Sequence, residues 1–230
     1  MSLMGLGAVA IWHDIAPQGR ADFYAWHGQE HMPERVAIPG FRRGRRYLAI
    51  EADLEFFNLY ETDSPAVLTS EDYQARLNAP TPWTQVAVRH FRDVARSLCR
   101  VAYSEGHAQG GLVATWRYQS SNSDADNYEA ATRDFLHTII KSEGVAGAHL
   151  LVADAEASSA MNAEEKARGQ RNEVPGSVLV VEGWGDVAGF AKTCRSIHSS
   201  DALKAAGAVD KPQLGLYQLQ ATVAESDIDR

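Results

Sequence analysis

The feature that most constrains this chain is a set of strands that are apolar on both faces. In residues 6 to 15, Ala8, Ala10 and Trp12 alternate with Val9, Ile11 and His13. A strand of that kind cannot leave either side in water, so its sheet needs cover on both faces. The strand belongs to a βαββαβ order. Residues 22–38 read as a helix, 43–51 and 54–62 as strands, 70–77 as a second helix with Ser70 as N-cap, 83–91 as a further turn, and 94–104 as a fourth strand. The same order returns with a strand at 110–118, a helix at 125–142, strands at 145–154 and 177–184, a helix at 187–206 broken near Ser199, and a last strand at 214–223. Trp12 and Trp116, and Gly40 and Gly144, share one separation of 104 residues (116 − 12 and 144 − 40).

βαββαβ is the ferredoxin-like unit, with helices on one face of an antiparallel sheet. Two units in one chain can cover their bare faces by turning them together. The expected fold is therefore α+β: two tandem ferredoxin-like units, 1–106 and 107–230, whose sheets face each other as an intramolecular barrel. A polar stretch near 155–172 interrupts the second unit and is expected to be a mobile loop or short helix on it.

Composition excludes several classes of function. The net charge of −8 opposes phosphate backbones, and the arginines of 42–46, the densest basic run, would project to both sides of a strand, so no nucleic-acid partner is expected. Cys99 and Cys194 stand far apart and read as reduced thiols. With no signal-peptide pattern and no apolar run near the ~18–20 residues of a membrane span, the expectation is a cytoplasmic protein without a membrane partner. Gly-rich phosphate loops, Cys-x-x-Cys and Gly-x-Ser-x-Gly are missing, which removes nucleotide-dependent and serine-hydrolase readings. A haem held by one histidine stays open.

Candidate chemistry gathers between Trp26 and Tyr47. Glu30 falls on the helical face of Phe23, Trp26, Pro33 and Ala37, where a carboxylate either pairs with Arg45 or Arg46 or acts as a general acid or base. His27 and His31 lie four apart and with Glu30 spell His-x-x-Glu-His, an inverted zincin spacing with no evident third ligand. Arg45, Arg46 and Tyr47 alternate sides on their strand, offering one arginine to an anionic ligand. Trp12, His13, Phe57 and Tyr60 are either core or the lining of a pocket.

The pattern Glu30-His31-Met32-Pro33-Glu34-Arg35, then Ile38-Pro39-Gly40-Phe41, then Arg45-Arg46-Tyr47 resembles EthD-like members of the dimeric α+β barrel superfamily, which also holds muconolactone isomerase and antibiotic-biosynthesis monooxygenases. At the matching place the second unit has Phe135-Leu136-His137 and Glu143-Gly144-Val145, without the Glu-His pair or the arginines. The resemblance implies a small aromatic or polyketide-derived ligand. The leading expectation is a cofactor-independent enzyme of isomerase, lyase or monooxygenase type. Glu30 and His31 would move protons, Arg46 or Arg45 would hold an oxyanion, and His27, Tyr47, Trp12, His13 and Tyr60 would line the substrate. The alternative is a non-catalytic small-ligand-binding or scaffold protein with a vestigial pocket; a metal-dependent enzyme using His27 and His31 is third. The chain is expected to be a monomer with a pseudo-dimeric barrel, or a homodimer.

Overall fold

The computed structural model describes residues 3–120, 125–198, 202–205, 208–209 and 211–228; Ser199, where a helix break was expected, lies outside them. Eight antiparallel strands form one closed barrel: β1 (Gly7–Ile15), β2 (Phe41–Glu51), β3 (Phe56–Thr62), β4 (Phe91–Gly106), β5 (Leu112–Tyr118), β6 (Val145–Ala153), β7 (Ser177–Gly183) and β8 (Gln213–Ala224). The closed order is β1-β3-β2-β8-β5-β7-β6-β4. Each unit contributes the ferredoxin-like order, and the units meet where β2 pairs with β8 and β4 with β6. Closure removes the sheet edges that a lone unit would expose. The expected intramolecular α+β barrel is therefore the observed fold.

Strand alternation sorts the side chains into an interior and an outer layer. Ala8, Ala10 and Trp12 point inward with Tyr47, Phe57, Val180 and Tyr217. Trp12 stacks on Phe57 at 4.9 Å, and its indole N–H donates to Thr115 Oγ at 3.1 Å. The outer face is covered by helices: α1 (Arg20–Trp26), α2 (Met32–Val36), α3 (Glu71–Asn78) and α4 (Pro82–Ala87) over the first unit, and α5 (Ala125–Ile139), α8 (Val187–His198) and α9 (Ala202–Ala205) over the second. None of the described helices is long and apolar enough to cross a membrane. Both cysteines are free and buried.

The repeat holds at one of its two expected anchors. Gly40 and Gly144 both have positive φ (87° and 80°), and their carbonyls accept from Asp63 N and Trp184 N, each at 2.9 Å. Trp12 and Trp116 do not match. Ala8 lies opposite Glu61 and Val113 opposite Glu182, so the true separation along the first strands is one residue longer. A slip of one flips a strand residue to the other face. Trp12 is accordingly inside the barrel while Trp116 packs beneath the helices of the second unit.

One end of the barrel interior is ionic. Arg43 donates to Glu61 at 2.7 and 2.8 Å through Nη2, and Arg45 Nη2 lies 2.8 Å from Glu61. Arg45 Nη1 donates to Glu182 of the second unit at 3.0 Å. His149, itself bonded to Ser104 at 2.9 Å, stands 3.6 Å from Glu182, and Gly110 N–H donates to the same carboxylate at 3.0 Å. Met4 N–H closes this end by donating to Glu61 at 2.7 Å.

The 155–172 insertion is helical in short pieces, as expected, but departs from expectation in where it packs. It forms two short helices, α6 (Ala155–Ser159) and α7 (Ala163–Arg168). Asp154 caps α6; Asn162 and Glu165 form a capping box on α7, and Gly169 ends it at φ 77°. The strap docks on the first unit, not the second. Its anchors are Leu98 N–H to Ser158 Oγ at 2.9 Å and the pair Arg96 N–H to Glu173 O and Glu173 N–H to Val94 O, both 2.9 Å. These bonds occupy the stretch of β4 that precedes its pairing with β6. A backbone edge with unmet hydrogen bonds gives the strap its address.

Candidate functional site

Chain from Arg20 to Val36 is helical throughout, but His27–His31 form a π turn in which Met32 N–H reaches back to His27 O. The next residue, Pro33, has no N–H to give and its ring crowds a regular turn, so the wider turn suits it. The extra residue shifts the inward face by one position. Glu30, expected inward, is half-buried, while His27, His31, Met32, Arg35 and Val36 are buried. Among the described residues Glu30 makes no arginine bridge. It accepts from Thr81 Oγ at 2.6 Å and Thr84 Oγ at 3.3 Å, fastening α4 to the helix, and does not line the cavity described below. The expected Glu30–His31 acid–base pair is thus not assembled on one cavity.

Arg45 and Arg46 part company as strand neighbours must. Arg45, Tyr47 and Trp12 enter the barrel, away from the helices. Arg46, Tyr60 and His13 lie on the helix side. Arg46 Nη1 meets His27 Nδ1 at 3.3 Å, and Tyr60 OH meets His27 Nε2 at 3.4 Å. A guanidinium only donates, so the Arg46 contact requires an unprotonated Nδ1 and leaves the His27 proton on Nε2, facing Tyr60. His13 shares a 3.0 Å hydrogen bond with Asn58 and lies among Phe23, Phe56 and Phe91.

All three histidines are held neutral. Burial lowers His13 to about 3, against a backbone contact with Asp14 that raises it; Arg168 and Arg46 add repulsion. Burial also drives His27 and His31 well below the ordinary value, helped by Arg46 beside His27 and Arg35 beside His31. Burial raises Tyr60, keeping its hydroxyl protonated. Arg46 is pushed down by desolvation; it rests over Tyr24 at 5.0 Å, with no carboxylate bridge among the described residues.

A cavity of about 60 Å³ opens between this helix, the sheet and the strap. His31 and Tyr60 line it with Trp26, Arg35, Arg96 and Arg168. The His31 ring lies tilted against Trp26 at 4.3 Å, and its Nδ1 is buried without a hydrogen-bond partner. Gly44 makes room behind Tyr60: a Cβ there would lie 2.8 Å from the Tyr60 ring and 3.4 Å from Val36. Gly44→Ala is expected to displace Tyr60 and cost about 1–3 kcal/mol by overpacking. Chemical denaturation measures the cost, and an unchanged midpoint would show that the ring yields freely.

Of the residues singled out from sequence, His27, His31, Tyr60 and Arg46 come together here, with His13 one ring further along. Arg35, Tyr73, Arg96 and Arg168 were not among them. Arg35 sat inside the quoted motif and was passed over; no local signal ties Arg168 to a cleft in the other unit. Among the described residues no three His, Cys, Asp or Glu side chains are grouped to hold a metal. Arg46 against His27 also repels a cation.

No family model matches the sequence, and no curated protein matches it. Solved structures do match in shape. An anthrone oxidase-like protein shares 13% identity at TM-score 0.63, over 96% of this chain and 93% of that one. A protein from Lactobacillus acidophilus with a provisional monooxygenase name shares 9% at 0.56, over 96% and 97%. A heme-binding protein from Thermus thermophilus shares 9% at 0.50, over 99% and 94%. At these identities the likeness establishes fold. The fold so shared is the closed antiparallel barrel built from two ferredoxin-like units in tandem.

Proposed function

We propose that the helix–sheet cleft of the first unit is the active site of a cofactor-independent enzyme of monooxygenase type, acting on a small aromatic molecule with an acidic C–H or O–H. The observation that carries this reading is His31: a buried imidazole, neutral at pH 7, that lines an aromatic-walled cavity and whose Nδ1 has no hydrogen-bond partner. Such a group can accept a proton from a bound carbon acid or phenol. The electron-rich anion that results is the species that dioxygen, as co-substrate, oxidises; a CH₂ becomes C=O and water leaves. Nearby arginines stabilise the anion. His27, fixed by Arg46 and Tyr60, positions the helix turn that carries His31. The names of the anthrone oxidase-like and monooxygenase-type neighbours favour this chemistry over isomerase or lyase turnover, and the Glu-His-Met-Pro motif keeps the EthD-like affinity in view. Of the sequence candidates, Glu30 serves here as a positioning residue.

A non-catalytic small-ligand-binding protein is the second reading, favoured by the small volume of the cavity. Oxygen uptake with a panel of anthrones and hydroxynaphthalenes separates the two. His31→Gln should lower turnover at least ~100-fold, the usual scale for a lost general base. No uptake above buffer, or an unchanged rate in the variant, would sink the enzyme.

We also place the division of the chain between 106 and 107, where β4 ends and the link to β5 begins. Because each unit already covers the other's bare face, we propose a monomer in solution; a homodimer is the alternative, and light scattering decides.

A further inference from the structure

We infer that the strap end of this cavity is a carboxylate subsite, built by Arg35 and Arg96 of the first unit and completed by Arg168 of the second. This deepens the functional reading by fixing the ligand's charge and rests on the same cleft, but it concerns binding and not turnover.

The argument starts from unpaired charge. The other buried arginines of the chain are neutralised or stacked. Arg43 and Arg45 pair with Glu61 and Glu182, Arg117 with Asp53, and Arg46 lies against Tyr24 and His27. Arg96, 7% exposed, has only a 2.9 Å hydrogen bond to Tyr73 OH and no carboxylate bridge among the described residues. Arg168 donates to the carbonyl of Gln170 at 3.0 Å and to Asn172, again without a carboxylate bridge. Arg35 is bridged to Glu164, yet its Nη1 is buried without a partner. Of the two acids on the wall, Glu164 is taken by Arg35. Glu165 is taken by the strap backbone, accepting from Asn162 N at 3.3 Å and Asn172 N at 3.2 Å. Three guanidiniums against two carboxylates leave one positive charge unbalanced at a largely buried wall, which an anion would neutralise.

Three side chains that line this cavity each carry a buried nitrogen without a hydrogen-bond partner: His31 Nδ1, Arg35 Nη1 and Arg168 Nε. Two of them are guanidinium donors, whose planar fork matches a carboxylate. The third belongs to the His31 ring, which lines the same cavity. The cavity volume suits the head group: about 60 Å³ holds roughly four water-sized groups, at ~10–15 Å³ each. An aromatic remainder requires α7 to move outward. The strap, expected from sequence as a decoration of the second unit, thereby becomes the element that supplies the site's third cation.

Benzoate and its neutral isostere benzamide test the charge. With the intact chain, benzoate at tenfold excess over its Kd should raise Tm by about 4 °C. Benzamide should bind at least tenfold more weakly by calorimetry. Arg168→Met should weaken benzoate about tenfold and leave benzamide unchanged, with Arg168→Lys recovering part of the loss. Arg96→Gln gives a second variant should α7 detach. Equal binding of the two probes, binding of neither, or unaltered benzoate affinity in both variants would overturn the subsite. Equal binding with turnover lost in His31→Gln removes the subsite and keeps the enzyme. Selective benzoate binding without turnover keeps the subsite and removes the enzyme.

Discussion

Glu61→Gln is expected to lower the unfolding free energy by about 3–5 kcal/mol, the range for breaking a buried ion pair from one side. Glu61 faces two guanidiniums, those of Arg43 and Arg45, in a part of the barrel where all three side chains are at most 2% exposed. An amide keeps the shape but cannot balance either charge, and Glu182 alone would then face both arginines and His149. Urea unfolding should show a lower midpoint with an unchanged slope. Adding Arg43→Met restores one carboxylate to one guanidinium and should return most of the loss, because removing both partners of a buried pair is far milder than removing one. A loss under ~1 kcal/mol for Glu61→Gln would mean that water reaches this end of the barrel and screens it.

The same network shows what the strands reveal and what they hide. Arg45 and His149 occupy matching places, Arg45 opposite Leu59 and His149 opposite Val180, and each leans on a carboxylate of the third strand of a unit. Sequence periodicity was enough to find two units and to turn their sheets together, since strands apolar on both sides have few other solutions. It was also enough to send Arg45 and Arg46 to opposite faces. It did not say which face was which, because inside and outside are equally apolar here. Only the register fixes that, and the Trp12–Trp116 coincidence pointed one residue wrong.

The site was legible in composition and not in geometry. His27, His31, Arg46 and Tyr60 were named, but Glu30 was placed inward by a 3.6-residue period that the π turn breaks. Pro33 signalled an irregularity without saying that it would be a widened turn that rotates Glu30 out and His31 in. Arg96 and Arg168 were invisible for another reason. One belongs to the last strand of the first unit and the other to an insertion in the second, and no local pattern tells an insertion which unit it will cover.

Acid should loosen this fold well before carboxylate titration would. His13 is lowered to about 3 from 6.5, so its stabilising contribution is complete above pH 6.5 and is lost as pH falls from 6.5 toward 3. At pH 4.5 that shift corresponds to about 3 kcal/mol from His13 alone. His27 and His31 are shifted in the same direction and add to the loss. Glu182 contributes in a lower window. Burial raises it, but the His149 hydrogen bond and the charge of Arg45 outweigh that and hold it at about 2, so its contribution is lost only below about pH 4.5. Stability measured between pH 6.5 and 4.5 therefore reports chiefly on the histidines, with a smaller opposing share from Asp14, whose carboxyl burial raises. His13→Gln should remove one proton of linkage there, reducing the slope by about 1.4 kcal/mol per pH unit, whatever its own packing cost. An unchanged slope would show that His13 reaches water and titrates normally. The proposed base depends on the same physics. A neutral His31 is ready to accept a proton at pH 6, so turnover should persist down the acid side until folding gives way, and the two acid limbs should coincide.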